Sequence, residues 1–114
     1  MKINGVELED IDIYDLETAE KYEESMASFT EIGDKVKGLG DAEGIRVTCN
    51  GVFDVFNKMF GEGTDKKIFG DKVNLLTCIK AFEEFQLQIN DQKKEIEKIA
   101  NKYSPNRAAR RSKK

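Results

Sequence analysis

The chain has 114 residues, 36% of them charged and 39% hydrophobic, with a formal net charge of −3. That is the size of one domain with one modest core, and no apolar run approaches the ~20 residues needed to span a membrane. The net charge hides an asymmetry: residues 107–114 carry +5, so the rest carries −8, much of it before residue 35. An acidic body of this kind argues against broad nucleic-acid binding, which depends on clustered Lys and Arg.

Met1-Lys2-Ile3-Asn4 leads straight into acidic sequence, so no secretory leader is expected. Residues 2–14 then alternate, with Ile3, Val6, Leu8, Ile11 and Ile13 apolar among Asn, Glu and Asp. Asn4-Gly5 is a strong hairpin-turn signal because both residues accept positive φ. The expected hairpin pairs Lys2–Ile3 with Val6–Leu8 and could extend to Tyr14. Two short strands are marginal in water, so they must lie on the helices or pair with another chain.

Asp15 is placed to cap a helix beginning near Leu16, with Glu17 and Glu20 favourable at the positive end of its dipole. Leu16, Ala19, Tyr22, Met26, Phe29, Ile32 or Gly33, and Val36 give it a three–four apolar rhythm. Gly33, Gly38 and Gly40 are expected to end it between residues 32 and 38. Asp41 is expected to cap a second helix whose face carries Ile45, Cys49, Val52, Phe53, Phe56, Met59 and Phe60. This is the most apolar segment and the predicted centre of the core. Phe53, Phe56 and Phe60 should lie under the last helix, and Gly51 is a candidate for close helix contact. Gly61-Glu62-Gly63 closes the segment, and Thr64–Gly70 reads as a capped single turn whose Ile68 and Phe69 plug the core.

Asn74 caps a long helix from Leu75 to about Tyr103. Leu75, Cys78, Phe82, Phe85, Ile89, Gln92, Ile96, Ile99 and Tyr103 form a heptad stripe along it. At 1.5 Å per residue the helix is about 43 Å long against about 30 Å for those before it. It should therefore overhang the bundle near Glu95–Tyr103. Gln92 interrupts the stripe. It either specifies register or a partner, or points to solvent beyond the core, and the solvent reading is preferred. Ser104-Pro105 stops the helix, and Asn106–Lys114 forms a basic tail, expected to be disordered.

No catalytic set emerges. The chain has no histidine, the commonest general base, and no close cysteine pair for zinc. Cys49 and Cys78 fall in apolar stripes and read as small buried hydrophobes. Gly61-Glu62-Gly63-Thr64 lacks the GK[ST] signature of a phosphate loop. Asp10, Asp12 and Asp15 lack EF-hand spacing. No enzyme, metal or cofactor is expected.

The fold read from these residues is mainly α: a small bundle of three main helices with a short N-terminal β-hairpin (residues 1–103) and a disordered basic C-terminal tail (104–114). The candidate partner contacts are Ile89, Ile96, Ile99 and Tyr103 on the stripe and Arg107, Arg110 and Arg111 in the tail. An isolated overhang of this length is marginal in water, so it should pack on a second copy or a partner, with the N-terminal strands a second possible contact by edge pairing.

Nearly end to end, the chain resembles the small tail-assembly chaperones of long-tailed phages and prophages of Gram-positive bacteria. The resemblance lies in Lys2-Ile3-Asn4-Gly5-Val6-Glu7-Leu8, Tyr14-Asp15-Leu16-Glu17-Thr18-Ala19-Glu20-Lys21-Tyr22-Glu23 and Val52-Phe53-Asp54-Val55-Phe56. It continues in Phe60-Gly61-Glu62-Gly63-Thr64, Ala81-Phe82-Glu83-Glu84-Phe85 and Tyr103-Ser104-Pro105-Asn106-Arg107-Ala108-Ala109-Arg110-Arg111. It implies a largely helical, self-associating, non-enzymatic protein of the bacterial host cytoplasm. Such proteins coat the long tape-measure protein before the tail tube forms, and are often also made in a frameshift-extended form. No active site and no cofactor transfers. The competing readings are a small phage structural protein, such as a connector, or a nucleic-acid-associated protein acting through the arginine-rich tail. Such tails can fold on RNA, but this one has no aromatic residue for base stacking. Nucleic acid is therefore not expected as a partner. Deleting residues 104–114 is expected to leave helicity and melting temperature nearly unchanged, as followed by circular dichroism during heating.

Overall fold

The computed structural model describes residues 1–103. Strands β1 (Lys2–Ile3) and β2 (Val6–Glu7) pair antiparallel, with Lys2 opposite Glu7 and Ile3 opposite Val6. Asn4 and Gly5 both have positive φ, 52° and 77°, as a two-residue turn of this hand requires. The strand pairing stops at Glu7; one more bond, from Leu8 N–H to the Met1 carbonyl at 2.7 Å, closes the hairpin. Residues 8–15 continue without regular structure, so the strand does not extend to Tyr14. Ile3, Leu8 and Ile13 are nevertheless buried.

Four helices follow: α1 (Leu16–Val36), α2 (Asp41–Phe60), α3 (Thr64–Phe69) and α4 (Leu75–Tyr103). Asp15 occupies the N-cap of α1 without a side-chain capping bond. Gly40, not Asp41, is the N-cap of α2; Asp41 is its first helical residue, where its charge still suits the dipole. Asn74 caps α4 as expected, its Oδ1 accepting the Thr77 N–H at 3.0 Å. Gly61 (φ 114°) ends α2 and donates its N–H to the Asn57 carbonyl.

Helix α2 lies between α1 and α4, which is why it buries residues on two sides. One side meets α1 at Gly51. A Cβ there would come 2.5 Å from the end of the Ile32 side chain and 3.4 Å from Phe29. An alanine would therefore require Ile32 to swing away, and a larger residue would push the helices apart. Val55, beside the α1 contact, is buried too, although the single-face reading omits it. On the other side Phe56 is fully buried, its ring 5.6 Å from Phe85 and 5.9 Å from Phe69, and Phe60 lies 5.7 Å from Phe85. Helix α4 thus covers Phe56 and Phe60, whereas Phe53 packs on Phe69 of α3 at 5.1 Å. Helices α1 and α4 meet through Tyr22–Phe85 and Phe29–Phe82. The inward face of α1 starts only at Tyr22, and Leu16 remains exposed.

Cys49 and Cys78 are free and wholly buried. Burial, together with the Cys49 thiol hydrogen-bonded beside it, pushes the Cys78 thiol up to about 12. It is therefore a protonated packing group at neutral pH rather than a nucleophile.

The position of Phe56 gives a direct check. Phe56→Ala removes a ring at the junction of α2, α3 and α4 and should cost about 3–5 kcal/mol in urea denaturation. A loss within the ~0.5 kcal/mol scatter of surface changes would contradict this packing.

Candidate functional site

The stripe of α4 divides into an inner half and an outer half. Cys78, Phe82, Phe85 and Ile89 are all buried against the body. Ile89 is 0% exposed, so this candidate contact belongs to the core and is closed to a partner; periodicity cannot show where along the stripe the cover ends. Ile96 and Ile99 are 50% and 49% exposed, and every residue from Lys93 to Lys102 is exposed. The overhang predicted from helix lengths is therefore present. Tyr103 is the last residue of α4; its side chain and Arg107, Arg110 and Arg111 lie outside the described residues.

The boundary between the halves is built by polar side chains. The Gln92 amide donates to the Ile11 carbonyl at 2.8 Å and accepts the Ile13 N–H at 3.0 Å. It does not point to solvent. One turn earlier Gln88 donates to the Lys2 carbonyl at 2.8 Å, and another turn back Glu84 accepts the Asn4 N–H at 2.8 Å. One turn further out, the Tyr14 hydroxyl oxygen is 3.0 Å from the Ile96 backbone nitrogen. Positions four apart stack on one helix face. Glu84, Gln88 and Gln92 therefore form a row that takes up the backbone groups of an N-terminal segment too short to satisfy its own. On the opposite flank Lys93 sits over the Tyr22 ring at 5.3 Å. Beyond this rim nothing else in the described residues covers the stripe.

The remaining motifs close on themselves. Thr64 Oγ1 donates to the Gly61 carbonyl at 2.6 Å, and Asn57 Oδ1 accepts the Asp65 N–H, so Gly61–Thr64 is a helix-linking turn. Asp12 Oδ1 accepts the Tyr14 N–H at 2.9 Å in a local turn. Among the described residues no group of three His, Cys, Asp or Glu could hold a metal, and no helix is long and apolar enough to cross a membrane.

Sequence reasoning missed the row. Its signal is polar residues at four-residue spacing crossing an apolar stripe at a shallow angle, with unpaired strand backbone elsewhere in the chain.

Fold and site together define a helical bundle with a docked hairpin and a projecting final helix. A family model described as a family of unknown function, DUF6673, matches residues 4–114, and the chain belongs to that family. No curated protein and no solved structure matches it.

Gln92→Ala would strand the Ile11 carbonyl and the Ile13 N–H. It should cost about 1–3 kcal/mol and speed amide exchange at residues 11–14, leaving α2 protected. Unchanged exchange at Ile13 would show that the amide does not hold this segment.

Proposed function

We propose that this protein is a non-enzymatic assembly chaperone that holds a long helical client, the tape-measure protein of a phage tail, in solution in the host cytoplasm. The supporting observation is the projection of α4, where Ile96 and Ile99 are half exposed on a helix whose inner half is core. A projecting apolar seam with charged flanks suits pairing with another amphipathic helix. Each half-exposed isoleucine contributes roughly 1 kcal/mol on burial, so a single contact is weak. Weak contacts repeated along a long client give strong coverage through multivalency and still release when the tail tube displaces them. The resemblance to tail-assembly chaperones supplies the identity of the client.

The test is coexpression with a segment of a phage tape-measure protein. The wild type should raise the soluble fraction of the segment several-fold, and Ile96→Asp/Ile99→Asp should not, while melting as the wild type does. A segment no more soluble with the wild type than without it would overturn the reading.

A further inference from the structure

The free half of the α4 stripe has a shape and charge order that select one mode of self-pairing. We infer that two copies of this chain pair through their α4 projections, antiparallel, with Ile96 of each opposite Ile99 of the other. The pairing uses the same face as the proposed client contact, but it requires no client.

The direction follows from the cover over the stripe. The body occupies the stripe as far as Gln92, where Ile11 and Ile13 are bound, and Tyr14 reaches Ile96. In a parallel pair each partner helix, followed towards its start, would run into the other copy's body. In an antiparallel pair each helix enters from the open end, and its Tyr103 lies level with Gln92 of its partner. The two bodies then lie at opposite ends.

The register follows from burial. Sliding the pair inward by one heptad would require Ile89, which is fully buried. Sliding it outward would run past Tyr103 into Ser104-Pro105, a sequence that does not continue a helix. The one register left stacks Ile96 on the partner's Ile99 and Ile99 on the partner's Ile96.

Charge agrees with that register. In an antiparallel pair the positions just before the first stripe residue of each heptad face each other across the seam. Here they are Glu95 of one copy and Lys102 of the other, twice by symmetry. Both side chains are exposed, and among the described residues neither makes an ion pair within its own chain. On the other flank Lys93, already over Tyr22, faces the small Ala100 of the partner. A parallel pair would place Glu95 opposite Ala100 and form no ion pair. The antiparallel tip also brings Lys102 to a groove of about 340 Å³ lined by Met1, Asp10, Gln88, Asp91, Gln92 and Glu95 of the other copy. Of its three acids, Asp10 pairs with the Met1 ammonium and Asp91 with Lys94, which leaves Glu95 for the incoming Lys102.

Two isoleucine layers make an interface well below the ~1,200 Å² of stable complexes, so the association is weak. Sedimentation equilibrium from about 10 μM to about 1 mM at low salt covers that range. The wild type should move from 12.9 kDa towards twice that mass, and Ile96→Asp/Ile99→Asp should remain at the monomer mass. Glu95→Lys alone and Lys102→Glu alone should each weaken the dimer at least several-fold, because each sets like charges face to face. The double swap should restore it. A wild type monomeric throughout, or a double swap no tighter than the single swaps, would overturn the antiparallel pair. A monomeric wild type that still solubilises the tape-measure segment would overturn the pairing and leave the chaperone reading standing.

Discussion

The N-terminal segment depends on α4 for its hydrogen bonds. Its hairpin has two residues per strand, too little to persist alone, yet Ile3, Leu8 and Ile13 are buried. Burying those side chains brings backbone N–H and C=O groups against a helix whose own backbone is already paired, and an unmet group there is costly. Glu84, Gln88 and Gln92 meet that demand with side chains. Everything else about the projection follows. The row fixes where the N-terminal segment ends on α4, and that end decides which part of the apolar stripe is core and which part is free.

The body behind this row is organised by α2, which is flanked by two helices with different contacts. Towards α1 it offers Gly51, so the packing is set by close approach and by the ends of Ile32 and Phe29. Towards α4 and α3 it offers Phe56 and Phe60, so the packing is set by rings meeting at 5.6–5.9 Å. The aromatic side ties three elements at one point, and short α3 is held there by Phe69 and Ile68 rather than by its length.

Much of this was legible because the relevant signals are local. Asn4-Gly5, the three–four rhythm of α1 and α2 and the Asn74 cap each act within a few residues, and helix lengths alone gave the overhang. The cap of α2 was misplaced by one residue because Gly40 and Asp41 are both acceptable there. What stayed hidden was non-local. A stripe shows which side chains share a face but not how far the neighbours reach, so it puts Ile89 among the partner contacts although Ile89 belongs to the core. Gln92 read as solvated because its partners, Ile11 and Ile13, lie 81 and 79 residues away. The two faces of α2 were merged into one for the same reason: Val55 acquires meaning only beside α1, where Gly51 makes the close helix contact expected of it.

Those separations also impose an order on the birth of the molecule. The earliest segment of this fold to be synthesised binds to its final helix, with Lys2 and Gln88 separated by 86 positions. The α1–α2 pair can zip together as soon as it emerges, being close in sequence. The hairpin and the segment to Tyr14 must wait, their buried isoleucines uncovered, until α4 has been synthesised past Gln92. The fold is thus sealed by joining its two ends, and the acidic residues spaced between Ile3 and Ile13 keep the waiting segment in solution until the lock arrives.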